Sequence, residues 1–187
     1  DLLRVLGVIR PTVEVIPTLT QNKHIGVLAT PGTVASESYV LELLKQDPTL
    51  IITQQACPMW VPLIESGEYL EKGTNYFIEK YLTQLLTRDP LIDTIILGCT
   101  HYPLLQPKIE TFIAKNNHNI SVVAQGDIVA HSLQNYLMRH PDIDLRVKKN
   151  NNLPPSVTYL TTESANKFSE SASIFLSDPI EAQHIEL

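Results

Sequence analysis

Cys99 is the residue whose position and neighbours point most directly to chemistry. It closes an apolar run, residues 93–98, and Thr100 and His101 follow it at once in the stretch LIDTIILGCTHYPLLQP. A thiol at the end of a buried strand and in front of a helix lies near the positive end of that helix, which favours the thiolate over the unperturbed pKa of about 8.5. His101 can share or relay the proton of that thiol. The pair is therefore a candidate for proton transfer.

Both residues also have a structural interpretation. A single cysteine at the end of an apolar strand is often a small buried hydrophobic residue, and a single histidine is often a surface or capping residue. Cys99 and His101 alone do not predict a zinc site, because no further ligands follow at metal-binding spacing. The motif by itself leaves catalysis and packing open.

Two other strand ends carry polar side chains. The stretch LATPGTVASESY places Thr30 and Thr33 in front of a helix, where hydroxyl and backbone N–H groups can bind a carboxylate. Thr33 has the alternative role of a helix N-cap. The stretch ACPMWVPLIESGEY carries Cys57 and Glu65. Since parallel sheets bring functional groups together where strands end and helices begin, we expect these three segments to share one site.

The elements that position these residues alternate between strands and helices. Residues 141–156 are charged and then rich in Asn and Pro, so they predict an exposed loop that includes the basic run Arg146–Lys149. Elsewhere the alternation predicts α/β layers with parallel strands. The predicted strands are residues 24–30, 49–56, 93–99, 120–125 and 156–162, and the predicted helices are residues 34–46, 76–86, 107–116, 126–140 and 165–177.

Composition narrows the class of protein. The 187 residues carry a formal net charge of −6, which argues against a nucleic-acid-binding surface. No apolar stretch approaches the roughly 18–20 residues that span a bilayer. With only two cysteines, Cys57 and Cys99, the chain is expected to hold reduced thiols in the cytoplasm.

Taken together, these stretches resemble the glutamate racemase family, cofactor-independent enzymes that supply D-glutamate for peptidoglycan. LGCTHYPLL resembles the motif of the family's second catalytic cysteine, and GVLATPGTVASESY resembles its threonine-bearing substrate loop. CPMWVPLIESGEY resembles a further family segment, and the match continues to the last strand and helix. The related aspartate racemases share Gly-Cys-Thr but usually lack the His-Tyr-Pro that follows it here.

The resemblance implies a fold, a reaction and a site. The fold is two-lobed, with parallel sheets covered by helices on both faces. The reaction interconverts L- and D-glutamate by proton transfer between two cysteines on opposite faces of the α-carbon, without a metal or organic cofactor. Glutamate is the implied partner, with no nucleic acid and no membrane, and a homodimer of the full-length enzyme is left open. The implied catalytic residues are Cys99, His101 and Glu65, and the implied substrate-binding residues are Thr30, Thr33 and Thr100.

The chain also departs from the family. Ala124 and Gln125 stand where the family normally has Asp-Ser or Asp-Pro, so we assign no substrate role there. The family's Asp-Ser-Gly, Pro-Tyr-Gly and Ala-Cys-Asn-Thr motifs do not occur, and the last of these holds the other catalytic cysteine. Cys57 cannot replace it, because its Cys-Pro context matches a structural position of the family.

These absences suggest that one lobe is incomplete. We expect residues 1–10 to connect two lobes, residues 11–118 to form the second lobe, and residues 119–187 to be the C-terminal part of the first. Such a chain alone is expected to be inactive. The alternatives are a racemase of another amino acid, such as aspartate, and a lobe without catalytic function.

Overall fold

The computed structural model describes residues 6–141, 143 and 157–186, and it confirms the predicted alternation of strands and helices. The chain divides into two compact units, Asp1–Asn135 and Tyr136–Leu187. Short 3₁₀ helices occupy Glu68–Leu70 and Tyr102–Leu105. The elements are α1 (Ile9–Leu19), β1 (His24–Ala29), α2 (Pro31–Ala35), α3 (Ser38–Gln46), β2 (Ile51–Ala56), α4 (Trp60–Glu65), α5 (Lys72–Arg88), β3 (Thr94–Leu97), α6 (Gln106–Lys115), β4 (Ser121–Val123), α7 (Gly126–Arg139), β5 (Tyr159–Thr161), α8 (Ala165–Leu176) and β6 (Ala182–His184).

A four-stranded parallel sheet organises the first unit, in the order β2-β1-β3-β4. Successive side chains of a strand point to opposite faces, and here both faces are covered. In β3, Ile95 and Leu97 pack with residues of α4, α5 and α6, whereas Ile96 packs with residues of α1 and α3. This layering explains why β3 is apolar throughout, and it confirms the predicted α/β class.

Helix α1 is absent from the sequence-based prediction, which treats residues 1–10 as a connection. Two prolines within it weaken the sequence signal for a helix. Pro11 lies in the first turn, where a backbone N–H has no partner within the helix, and Pro17 lies near the end, where only one such bond is lost. Val13 and Ile16 are fully buried against the sheet. The helix is therefore held by its packing rather than by local propensity.

The single helix predicted at residues 34–46 is two helices in the structure. Glu37 adopts a left-handed conformation with φ of 53° between α2 and α3, which breaks the helix and changes its direction. Tyr39, the second residue of α3, is buried beside Gly98, the residue before Cys99.

Strand β4 follows the predicted division at residue 118 and belongs to the four-stranded sheet. It pairs with β3 through the Ile95–Val122 and Ile96–Val123 partners. A strand of three residues carries no signal for the sheet that it joins, so its pairing has to be read from the structure. The division into lobes at residue 118 stays a prediction.

The second unit contains α8 and the parallel pair β5–β6. None of its described residues from 157 to 186 is buried, and several large apolar side chains of α8 are at least partly exposed. Ser164 is the N-cap of α8, and its hydroxyl accepts a hydrogen bond from the backbone N–H of Lys167. Most of the predicted loop at residues 141–156, including the basic run Arg146–Lys149, lies outside the described residues.

Gly98 is expected to be intolerant of any side chain. A Cβ atom there would lie 3.0 Å from the Tyr39 ring and 3.1 Å from the Leu28 carbonyl oxygen. Gly98→Ala should therefore lower the free energy of unfolding by about 1–3 kcal/mol, as overpacking does. Gly73→Ala is the control, because a Cβ there meets nothing within 4 Å. Urea denaturation checks this, and equal midpoints for the two variants would contradict it.

Candidate active site

The carboxyl ends of three strands meet where the sequence predicts a site. The backbone N–H of Cys57, just beyond β2, donates to the Ala29 carbonyl at the end of β1, at 2.9 Å. The N–H of Gly98, just beyond β3, donates to the Leu28 carbonyl at 2.7 Å. These bonds continue the sheet past its last paired residues. They fix the starting points of the segments that carry Thr30, Cys57 and Cys99.

His101 lies between a thiol and a carboxylate. Its Nδ1 is 3.8 Å from Cys99 Sγ, and its Nε2 is 3.2 Å from Glu65 Oε1. When Nε2 carries the proton and donates it to Glu65, Nδ1 is free of hydrogen and faces the thiol. The imidazole in that tautomer can accept the Cys99 proton. The structure thus brings together the three residues assigned to catalysis from separate segments of the chain.

The environment of Cys99 raises the pKa of its thiol, so the prediction of a favoured thiolate is wrong. Burial is the largest cause, because it disfavours the charged form. The backbone N–H groups of His101 and Tyr102 donate to the sulfur and lower the pKa, as expected at a helix start, whereas the Glu65 charge raises it. The helix start acts in the predicted direction, but desolvation outweighs it. The neutral thiol is therefore favoured over the thiolate at Cys99.

Cys57 has a different environment. It is 1% exposed within the core beside Trp60, and its thiol donates to the Gln55 carbonyl at 3.6 Å. Burial raises the pKa of this thiol strongly. Its own carbonyl accepts a hydrogen bond from the Tyr102 hydroxyl at 3.3 Å. These contacts agree with a packing role.

Thr30 and Thr33 are paired at the start of α2. Their hydroxyl oxygens are 2.9 Å apart, and Thr30 Oγ1 accepts a bond from the backbone N–H of Thr33 at 3.3 Å. Thr30, rather than Thr33, is thus the N-cap. Both are half-buried, and Thr100 is exposed next to Cys99. The hydroxyl pair and Thr100 follow the ends of β1 and β3, which are neighbours in the sheet.

Gln125 is a residue of this region that the sequence did not assign. Its side-chain Nε2 donates to the carbonyl of Leu97, two residues before Cys99, at 2.9 Å. Its sequence signal is weak, a polar residue two positions after the last residue of β4. A contact from a side chain to a backbone carbonyl leaves no recognisable motif.

Membrane-spanning helices and metal clusters are both absent from the described part of the chain. No helix there is long and apolar enough to cross a membrane. Likewise, no group of three or more His, Cys, Asp or Glu residues among the described positions is placed to hold a metal ion.

The two thiols should differ in reactivity. Iodoacetamide is expected to modify half-buried Cys99 about tenfold or more faster than buried Cys57, since access and thiolate content control the rate. The Cys99 rate should rise with pH around a midpoint above the roughly 8.5 of a free cysteine, because its pKa is raised. Peptide-resolved mass spectrometry across pH 7–11 measures both. Faster labelling of Cys57, or a Cys99 midpoint below that of a free cysteine, would contradict this description.

Comparison with known sequences finds glutamate racemases along nearly the whole chain. The chain is 35% identical over 184 residues to the glutamate racemase of Lactiplantibacillus plantarum, covering 98% of this chain and 64% of that protein. It is 30% identical over 185 residues to that of Shouchella clausii, covering 97% and 63%. The chain therefore spans a little under two thirds of the length of these relatives. No protein-family model matches it.

Solved structures agree with the sequence relatives. A glutamate racemase isoform of Bacillus anthracis matches with a TM-score of 0.84 and 28% identity, over 100% of this chain and 66% of that one. The glutamate racemase of Francisella tularensis, solved with D-glutamate, matches with a TM-score of 0.73 and 25% identity, over 96% and 62%.

Proposed function

Because this chain belongs to the glutamate racemase family, we propose that it carries one half of an active site that interconverts L- and D-glutamate. The observation that carries the proposal is the contact series from the Cys99 thiol to the His101 imidazole and on to the Glu65 carboxylate. The half-buried Cys99 thiol has a raised pKa, so little of it is in the basic thiolate form at neutral pH. The imidazole beside it supplies the missing proton acceptor.

The reaction at Cys99 begins with its own proton. His101 accepts that proton at Nδ1, and the imidazolium that results is stabilised by Glu65 at Nε2. The Cys99 thiolate then removes the α-proton of L-glutamate, and the electron pair left on the α-carbon is delocalised into the substrate carboxylate. A second group donates a proton to the opposite face and yields D-glutamate. The reverse reaction uses the same groups in the opposite order.

We place that second group in the part of the enzyme that these 187 residues do not span. Cys57 is a poor candidate, because it is 1% exposed and its thiol is bonded to the Gln55 carbonyl. The relatives are longer than this chain, which covers 64% of the L. plantarum protein. By the full-length enzyme we mean a protein that contains these residues together with the second group.

The threonines of the neighbouring strand ends hold the substrate in this proposal. Thr30 and Thr33 offer hydroxyl groups 2.9 Å apart, and Thr100 offers a hydroxyl beside the thiol. Together they would bind the α-carboxylate and the amino group, which fixes the α-carbon against Cys99. No metal or organic cofactor is part of this mechanism. Supply of D-glutamate for peptidoglycan, a cytoplasmic location and a homodimer belong to the same proposal.

Circular dichroism of amino-acid solutions tests the reaction and its substrate. The full-length enzyme should remove the optical signal of L-glutamate and of D-glutamate, and leave that of L-aspartate largely unchanged. Preferential loss of the L-aspartate signal would instead make it a racemase of another amino acid. Retention of every signal by a folded full-length protein would favour a lobe without catalytic function.

A further inference from the structure

The side chain of Gln125 links three elements behind the reactive cysteine. Its Nε2 donates to the Leu97 carbonyl at 2.9 Å, and its Oε1 accepts a bond from the Thr12 hydroxyl of α1 at 3.3 Å. Thr12 is fully buried. A carbonyl on one side and a hydroxyl on the other define which end of the amide is nitrogen. The carboxamide is therefore held in a single orientation.

The Gln125 side chain contacts β3 at the end of the sheet. The last β3–β4 partners are Ile96 and Val123, so the Leu97 carbonyl lies one residue beyond the paired ladder. On the other side of β3, the N–H of Gly98 donates to the Leu28 carbonyl at 2.7 Å. The end of β3 is thus held from the β1 side by backbone and from the β4 side by the Gln125 side chain. Cys99 is the next residue after this doubly held point.

Tyr39 connects the same glutamine to Gly98. Its ring leaves no room for a Cβ at Gly98, which would lie 3.0 Å from Cε2, and its hydroxyl faces the Gln125 side chain, which lowers the pKa of that hydroxyl. Tyr39 is 2% exposed. Burial raises the pKa of Tyr39 to about 12, and the Gln125 side chain opposes this rise, so the phenol stays neutral. The ring and the carboxamide together form a fixed support behind the Gly98–Cys99 segment.

We propose that Gln125 is a positioning residue for the Cys99 thiol: its carboxamide fixes the Leu97 carbonyl, and through it the Gly98–Cys99 segment, against α1 and β4. It reaches the thiol only through the backbone. Its effect on racemisation rests on the proposed function, whereas its effect on the thiol does not. Loss of the carboxamide should leave the sheet intact and let Cys99 move and become more solvated.

Thiol labelling of the 187-residue chain tests this without any assay of racemisation. Gln125→Met keeps a similar volume and removes both hydrogen bonds. Thr12→Val removes the bond to Gln125 Oε1 together with the longer 3.5 Å contact of the Thr12 hydroxyl with the Val8 carbonyl. The matched control is Gln84→Met, a glutamine of α5 whose partner is the side chain of Gln55. The titratable groups that face the thiol are unchanged in all three variants, namely Glu65, His101, Tyr39, Cys57 and Tyr102.

Gln125→Met is expected to label Cys99 with iodoacetamide about three- to tenfold faster at pH 8, with a lower pH midpoint, because a better-solvated thiol ionises more readily. Thr12→Val should also raise the labelling rate of Cys99 and lower its pH midpoint, but by less. Gln84→Met should change neither. In the full-length enzyme, Gln125→Met should lower kcat about tenfold and leave KM within about twofold. An unchanged rate and midpoint in both Gln125→Met and Thr12→Val would overturn the proposal. If Gln125→Met does not fold, an unchanged labelling rate and pH midpoint of Cys99 in Thr12→Val are enough to overturn the proposal. The labelling result tests the positioning role of Gln125 even if the full-length enzyme shows no racemase activity. A failure of this proposal can therefore be told apart from a failure of the proposed function.

Discussion

Replacing Cys99 with serine in the full-length enzyme is expected to lower kcat/KM for racemisation about 10³-fold or more, in both directions. A serine hydroxyl is far less acidic than a thiol, so His101 cannot convert it into a useful base. Both directions fail together, because each one uses Cys99 once as acid or base. Circular dichroism with L-glutamate and D-glutamate as starting materials measures the two rates.

Cys57→Ser is the matched control for that variant. Cys57 is buried and its thiol faces the Gln55 carbonyl, which a serine hydroxyl can also reach. The control should keep most of the activity. Near-normal racemisation by Cys99→Ser would remove Cys99 from the mechanism. A folded but inactive Cys57→Ser would show that the two cysteines have been assigned in the wrong order.

His101→Asn should lower turnover about 10²-fold, with a larger effect on L-glutamate than on D-glutamate. His101 contacts only one of the two proposed bases, at 3.8 Å from Cys99 Sγ, and Cys99 is the one assigned to the L-face. The equilibrium between enantiomers cannot change, so kcat/KM must fall equally for both. The asymmetry therefore has to appear in kcat and KM separately.

Full progress curves for each enantiomer separate those parameters. Glu65→Gln is the companion variant, because it removes the charge from the Nε2 partner and leaves the imidazole in place. Glu65→Gln should lower turnover less than His101→Asn does, again with a larger effect on L-glutamate than on D-glutamate. Equal losses of kcat and equal changes of KM for both enantiomers in His101→Asn would make His101 a structural residue only.

Much of the site could be predicted because its residues lie at strand ends. Apolar runs indicated β1 and β3, and the polar residues after them indicated the edge of the sheet at which Thr30 and Cys99 lie. Glu65 and His101 are 36 positions apart, and the parallel sheet brings their side chains within 3.2 Å. Parallel topology predicts that the strand ends before Thr30 and Cys99 meet, whereas Glu65, the last residue of α4, is assigned to the site by the family resemblance.

What could not be predicted depends on packing. The pKa of Cys99 is raised because burial outweighs the helix start, and the depth of burial is a property of the folded chain. Gln125 acts through the Leu97 carbonyl, a backbone group with no sequence signature. The pairing of β4 with β3 and the helix α1 have no clear sequence signal for a related reason, since short strands and proline-containing helices take their positions from tertiary contacts.

Racemisation of L-glutamate in deuterated water by the full-length enzyme shows whether Cys99 removes the α-proton from one face while another group protonates the other. Proton NMR and mass spectrometry follow the label. We expect newly formed D-glutamate to carry deuterium at the α-carbon from the first turnovers, while unconverted L-glutamate keeps its proton, and we expect Cys99→Ser to form no labelled D-glutamate. D-glutamate that retains the substrate's own proton, or labelled D-glutamate formed by Cys99→Ser at a rate near that of the unaltered enzyme, would contradict this mechanism.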